Sequence, residues 1–69
     1  MTQKELQYYE DAIGHETNII KICKEFINNL NNEELISFMK EEVSRHEKLK
    51  EELMNVLEGE INEWSTYYG

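Results

Sequence analysis

The sequence contains no proline, one cysteine and only three glycines. Proline and glycine are the residues that most strongly interrupt helices, so their scarcity leaves little to break a helical chain. The single cysteine, Cys23, excludes an internal disulfide, and with no recognisable signal peptide we expect a reducing, intracellular (cytoplasmic) location. No apolar run approaches the ~20 residues that a membrane-spanning helix needs. These absences together favour an all-α protein without a membrane anchor.

Basic residues are also scarce: 7 Lys and Arg stand against 15 Asp and Glu, which gives a formal net charge of -8. Nucleic acids and anionic membrane surfaces are recognised through clustered Lys and Arg, so neither is an expected partner. Cations and basic proteins remain open as partners. The simpler interpretation is an acidic surface that keeps the protein soluble.

A chain of 69 residues forms at most one small domain. At this size folding buries only ~60% of the surface of the unfolded chain, and stability is marginal without further support. Because a disulfide is excluded, that support has to come from a partner chain, from a metal ion, or from both.

The sequence predicts an α-helical hairpin over 1–58, with helices at about 3–30 and 32–58, a turn at about 28–32, and a tail at 59–69. Asparagines fill the turn, where their side chains compete with helical hydrogen bonds. Thr2 and Glu5 have the spacing of a capping box, and Asn31 with Glu34 repeats it at the second helix. Gly59 is the predicted end of the second helix.

Apolar residues recur in alternating steps of three and four along both helices, which indicates helix rather than strand. The first heptad stripe is Leu6, Tyr9, Ile13, Glu16, Ile20, Cys23, Ile27 and Leu30; the second is Leu35, Met39, Glu42, His46, Leu49, Leu53 and Val56. Further apolar residues flank both stripes, more than one partner helix can cover. We therefore predict that two hairpins form a homodimer, or a higher oligomer, built as an antiparallel four-helix bundle.

Three stripe positions carry polar residues, namely Glu16, Glu42 and His46, hereafter the polar cluster. Glu16 lies fifteen residues before Asn31 and His46 fifteen after it, so both are expected at the same level of the bundle. A two-fold dimer would gather four carboxylates and two imidazoles there, the ligand inventory of di-iron and di-manganese bundles. The cluster is therefore a candidate metal site for iron or manganese, with zinc a weaker candidate. The spacing of Glu42 and His46 is i, i+4, whereas such bundles use i, i+3.

A second interpretation treats the polar cluster as a hydrogen-bonded network that fixes register and oligomeric state without a metal. Cys23 is predicted to be a small core residue. Gly14 either allows close helix approach beside Glu16, which we favour, or is tolerated on an exposed face. The aromatic tail, Trp64 to Gly69, would pack over the open end of the bundle. The sequence shows no catalytic triad and no phosphate-binding loop, so an enzyme is not the favoured reading.

The segment Tyr9 to Glu16, which reads YEDAIGHE, the short polar turn and the helix centred on His46 resemble the short ferritin-like spore coat proteins of endospore-forming Firmicutes, the coat F-like group. The resemblance covers roughly the first fifty-seven residues. It implies half of a ferritin-like bundle and a structural role in the spore coat, with other coat proteins as partners. It also implies an alternative role for the tail, Trp64 to Gly69, in docking or in tyrosine cross-linking. On this resemblance Glu16 and His46 match the family's pattern, whereas Glu42 does not.

Overall fold

The protein folds as two antiparallel α-helices joined by one short turn. The computed structural model describes the backbone of residues 1–68 and the side chains of residues 1–63. Helix α1 spans Gln3–Ile27 and helix α2 spans Glu33–Tyr68. The predicted all-α hairpin is confirmed, including the position of the turn between the helices. The two helices make the molecule long and thin, about 53 × 16 × 14 Å.

Helix α1 begins with the predicted capping box. The Glu5 backbone N–H donates to the Thr2 hydroxyl, and the Thr2 backbone N–H donates to the Glu5 carboxylate, each at 3.1 Å. Helix α2 begins one residue later than predicted. The Leu35 N–H donates to the side-chain oxygen of Asn32 at 3.0 Å, so Asn32 rather than Asn31 is the cap.

The second helix does not end at Gly59. Helix α2 continues through this residue to Tyr68, so the boundary predicted near residue 58 is wrong. Glycine costs only about 1 kcal/mol relative to alanine inside a helix, and no proline follows to enforce a stop. The proposed packing or cross-linking roles of Trp64, Tyr67 and Tyr68 concern side chains outside the described residues.

The contact between the helices follows one stripe on α1 and a shifted stripe on α2. On α1 every residue of the predicted stripe is buried or half-buried. On α2 only Met39, Glu42, His46 and Leu53 of the predicted stripe are at least half-buried, while Leu35, Leu49 and Val56 are exposed. The inward-facing residues of α2 are instead Ile36, Met39, Val43, His46, Lys50, Leu53, Leu57 and Glu60.

Gly14 is exposed, and a Cβ atom added there would meet nothing within 4 Å. The expectation that Gly14 allows close helix approach is therefore wrong for this hairpin. Cys23 is a half-buried free thiol on the inner side of α1, in keeping with a small residue at the helix contact.

A single hairpin has almost no interior. Among the residues with described side chains, only Glu16, Ile20 and Val43 are buried, and none falls below 2% exposure. The solvent-accessible surface is 5738 Å², whereas a compact monomer of 8.3 kDa is expected to expose about 4,600 Å². Part of this excess comes from α2, which is longer than α1. The rest comes from apolar side chains that the hairpin leaves uncovered.

Candidate functional site

The polar cluster is assembled at the middle of the hairpin, on the level that the sequence predicted. The Nδ1 atom of His46, on α2, is hydrogen-bonded to the Glu16 carboxylate, on α1. Glu16 is one of the few buried residues, with 8% exposure, and it has Ile13 and Ile20 as neighbours along its stripe. A buried carboxylate needs such a partner, because an unpaired charge in apolar surroundings is costly. The cluster thus links the two helices at mid-length.

Glu42 completes the cluster from the other side of the imidazole ring. Its Oε2 atom lies 4.0 Å from His46 Nε2, and its Oε1 atom lies 3.1 Å from Arg45 Nη2. The imidazole therefore has one carboxylate at each of its two nitrogens. Because the contact with Glu42 is longer than a hydrogen bond, Glu42 interacts more strongly with Arg45 than with His46.

The arrangement of donor atoms limits what one chain could offer a metal ion. Among the described residues, no group of three His, Cys, Asp or Glu side chains is arranged to hold one. Glu16 and Glu42 lie at opposite ring nitrogens, and a metal bound to one nitrogen would have only one of the two carboxylates beside it. A carboxylate at the far nitrogen is a common way to orient a ligating histidine. Hard metals match this donor set, with His46 and Glu42 as ligands and Glu16 behind, but one chain supplies only two protein ligands on the same side of the ring.

An apolar stripe that no part of the hairpin covers runs along α1. It consists of Tyr8, Ala12, His15, Ile19, Ile22 and Phe26, in steps of four and three. All six residues are exposed or half-buried; Ile22 is 63% exposed and Phe26 is 50% exposed. We call this the outer stripe of α1.

Helix α2 carries a corresponding outer stripe, made of Leu35, Phe38, Glu42, Arg45, Leu49, Glu52 and Val56. Its apolar members are the exposed residues of the predicted heptad stripe, together with Phe38, which is 54% exposed. The stripe is more polar than that of α1, since it includes Glu42, Arg45 and Glu52.

The two outer stripes lie on the same side of the hairpin. Each outer stripe lies about a quarter turn around its helix from the inward face. When each helix is viewed from its N-terminus, both stripes are displaced in the same rotational direction. Because the helices are antiparallel and their inward faces point at each other, displacements of the same sense bring both stripes to one side. Together they form what we call the apolar face, and Glu42 of the polar cluster lies at its centre.

The opposite side of the hairpin is charged. There Lys24 Nζ pairs with Glu47 Oε1 at 3.2 Å, and both side chains are at least half exposed. Only scattered apolar residues, such as Met54, are exposed on that side. The hairpin is therefore amphipathic as a unit, with one side suited to burial and the other to water.

Comparison with known proteins identifies no relative: no protein-family model, curated protein or solved structure matches the chain. Among the described residues, no helix is both long and apolar enough to cross a membrane. The site therefore has to be interpreted from its own geometry.

Proposed function

We propose that this chain is a small structural or interaction protein that acts as a homodimeric, ferritin-like four-helix bundle. The observation that carries the proposal is the apolar face, which spans both helices on one side while the hairpin alone has almost no core. Isolated two-helix units of this size are marginal, because they bury too little apolar surface to offset the conformational entropy lost on folding. A second copy of the hairpin supplies a matching amphipathic surface of the same length.

The hairpin has enough surface for a dimer interface. The chain exposes on the order of 1,000 Å² more surface than a compact protein of its mass, although its elongated shape contributes to this excess. Stable interfaces bury roughly 800 Å² per partner or more. Face-to-face packing of two hairpins would also cover Glu42 and shield the contact between His46 and Glu16 from water.

In this proposal the polar cluster acts as a register device. Displacing one helix by a turn would separate Glu16 from His46 and leave a buried carboxylate unpaired, so that alternative alignments are penalised. The resemblance of the Tyr9–Glu16 segment to coat F-like proteins supports placing the bundle in the spore coat, with other coat proteins as further partners. An intracellular site of synthesis belongs to the same proposal.

The test is the molar mass in solution of matched lysine variants. Phe38→Lys places a charge on the apolar face, and Met54→Lys places one on the charged side; the native residues are 54% and 49% exposed. Both new lysines have glutamates three and four residues away, but Met54→Lys also has Lys50 four residues away, so local helix pairing favours Phe38→Lys and cannot explain its dissociation. We expect wild type and Met54→Lys to sediment as dimers and Phe38→Lys to dissociate. A monomeric wild type, or equal behaviour of the two variants, would contradict the proposal.

A second candidate function is a metal-binding bundle, and the observation that favours it is the convergence of Glu16, Glu42 and His46. Since one chain offers an ion only Glu42 and His46 on the same side of the ring, this function also depends on the dimer. Iron or manganese would suit the carboxylate-rich donor set, with zinc less suited. Metal content after loading with Fe(II), Mn(II) or Zn(II) tests it. About one ion per chain, lost in Glu16→Leu, supports a dinuclear site; a metal-free dimer under every loading rejects it.

A further inference from the structure

We infer that the two hairpins pack with their turns at opposite ends, so that α1 of one copy lies along α1 of the other and α2 along α2. The inference rests on the proposed dimer and specifies how the apolar face meets its copy. The competing arrangement has both turns at one end and places α1 against α2 of the second copy. Both arrangements keep all neighbouring helices antiparallel, so the distinction depends on the residues of the outer stripes.

The first argument is the symmetry of the outer stripes. The stripe of α1 runs from Tyr8 to Phe26 and is centred on Thr17, fourteen residues before Asn31. The stripe of α2 runs from Leu35 to Val56, and its centre lies between residues 45 and 46, again about fourteen residues from the middle of the turn. One two-fold axis perpendicular to the helices can therefore pass through both centres. Such an axis exists only when the turns are at opposite ends. Equal distances from the turn would also align the stripe of α1 with that of α2 when the turns lie together, so symmetry permits the opposed arrangement and the side chains decide between the two.

The axis would pass within one residue of the contact between Glu16 and His46. It would also set Tyr8 opposite Phe26 of the second copy, a pairing of two aromatic rings. With the turns at one end, the rings of Phe26 and Phe38 from both copies would crowd that end instead. The opposed arrangement distributes the large side chains evenly along the bundle.

The second argument is the composition of the stripes. The outer stripe of α1 has no Asp, Glu, Lys or Arg, whereas that of α2 includes Glu42, Arg45 and Glu52. When the turns are opposed, Glu42 lies at the level of Leu49 of the second copy, and the two Arg45 residues lie near the axis, between the two Glu42 carboxylates. When the turns are together, Glu42 lies at the level of Ile19 of the second copy, on a stripe that offers it no lysine or arginine. A buried carboxylate is less costly where a second cation is within reach, so the opposed arrangement is favoured.

The third argument is the distribution of charge along the hairpin. The half that contains the turn, residues 18–44, has three basic and five acidic residues, a net charge of -2. The open half, residues 1–17 and 45–69, has four basic and ten acidic residues, a net charge of -6. Opposed turns place each open half against a turn half, whereas turns at one end bring the two open halves together. Coulomb repulsion favours the opposed arrangement.

Thiol cross-linking distinguishes the two arrangements. Cys23 lies on the inner side of α1, turned toward the apolar face, so turns at one end would bring the two Cys23 thiols to one level across the bundle. With the turns opposed, the two thiols are separated by about 18 Å along the helix axis. In contrast, position 15 approaches its own copy only when the turns are opposed, with an axial offset of about 6 Å.

The experiment treats wild type and a His15→Cys, Cys23→Ser variant with a short bifunctional maleimide and measures covalent dimer by denaturing electrophoresis. Analytical ultracentrifugation of both proteins is run beside it. We expect at least a tenfold higher yield of covalent dimer for the variant than for wild type. A wild type that cross-links as well as the variant or better, or a dimeric variant that does not cross-link, would overturn the opposed arrangement. A monomeric mass for both proteins would instead reject the dimer itself, and with it the proposed function.

Discussion

His46 is held to Glu16 across the hairpin through its Nδ1 atom, although the two residues are 30 positions apart in the sequence. The contact joins the only buried carboxylate among the described residues to the helix opposite it. Because the cluster contains no more than this pair and the neighbouring Glu42, its contribution to stability can be separated from that of the apolar contacts.

A double-mutant cycle on Glu16 and His46 measures this contribution. Either Glu16→Leu or His46→Leu alone leaves a polar group without its partner and should destabilise the protein, whereas the double change should be neutral or stabilising. We expect a coupling energy above about 1 kcal/mol from chemical denaturation. The exposed pair Lys24 and Glu47 is the matched control, with coupling below about 1 kcal/mol. Equal coupling energies for the two pairs would contradict the proposal that Glu16 and His46 fix the register of the helices.

Asn32 should be the cap that starts α2. Asn32→Ala removes the acceptor of the Leu35 N–H and should cost about 1 kcal/mol. Asn31→Ala, at an exposed position one residue earlier, should cost much less, and the pair of variants is compared by thermal unfolding. If Asn31→Ala destabilised the protein more than Asn32→Ala, Asn31 would be the cap, as the sequence alone suggested.

The capping box of α1 makes stability depend on pH. The Thr2 backbone N–H, and then its hydroxyl, hold the pKa of Glu5 below its ordinary value of 4.5. Since the folded-state pKa lies below the unfolded one, the carboxylate stabilises the fold above about pH 4.5, and this stabilisation is lost as the pH falls through the lowered pKa. Wild type should therefore exceed Glu5→Gln in stability at neutral pH and converge with it in acid. Thr2→Ala keeps the backbone donor, so most of the pH dependence should remain in that variant.

Gly14 and Gly59 are positions where alanine should stabilise the protein. Neither has a positive φ, and an added Cβ would meet no atom within 4 Å at either position. Gly14→Ala and Gly59→Ala should each raise stability by about 0.5–1 kcal/mol, which corresponds to a few degrees in Tm. Gly14 lies away from the apolar face, so its substitution should leave the molar mass unchanged. A loss of stability at Gly14 would indicate a close approach that only the assembled protein makes.

The sequence predicted the two helices, the turn and the level of the polar cluster because these follow from local spacing and from counting residues out from the asparagines. It did not predict which residues of α2 contact α1 within one hairpin. Helix α2 has two apolar registers, one through Ile36 and Val43 and the other through Leu35 and Leu49. Periodicity shows that both registers are amphipathic but not which of them faces α1.

Lys50 and Gly59 show two further limits of sequence reasoning. Lys50 is half-buried on the inward face of α2, a position that lysine tolerates because its long aliphatic stem can be buried while its ammonium stays in water. A charged residue at such a position gives no hydrophobic signal. At Gly59 the helix continues because its propensity cost is smaller than the combined preference of the surrounding residues for helix.

The turn at 28–32 links the two helices, and its backbone hydrogen bonds are local: Asn28, Asn29 and Leu30 donate to carbonyls at the end of α1, and Asn32 accepts from Ile36 at the start of α2. It makes no bond that the register of the helices requires, so its main effect is to keep their local concentration high. Lengthening a loop costs little, about 0.6 kcal/mol for each doubling. Glycine and serine residues inserted here should therefore preserve the bundle. Peptides 1–30 and 31–69 should reassemble when mixed, at the higher concentrations needed once the tether is cut.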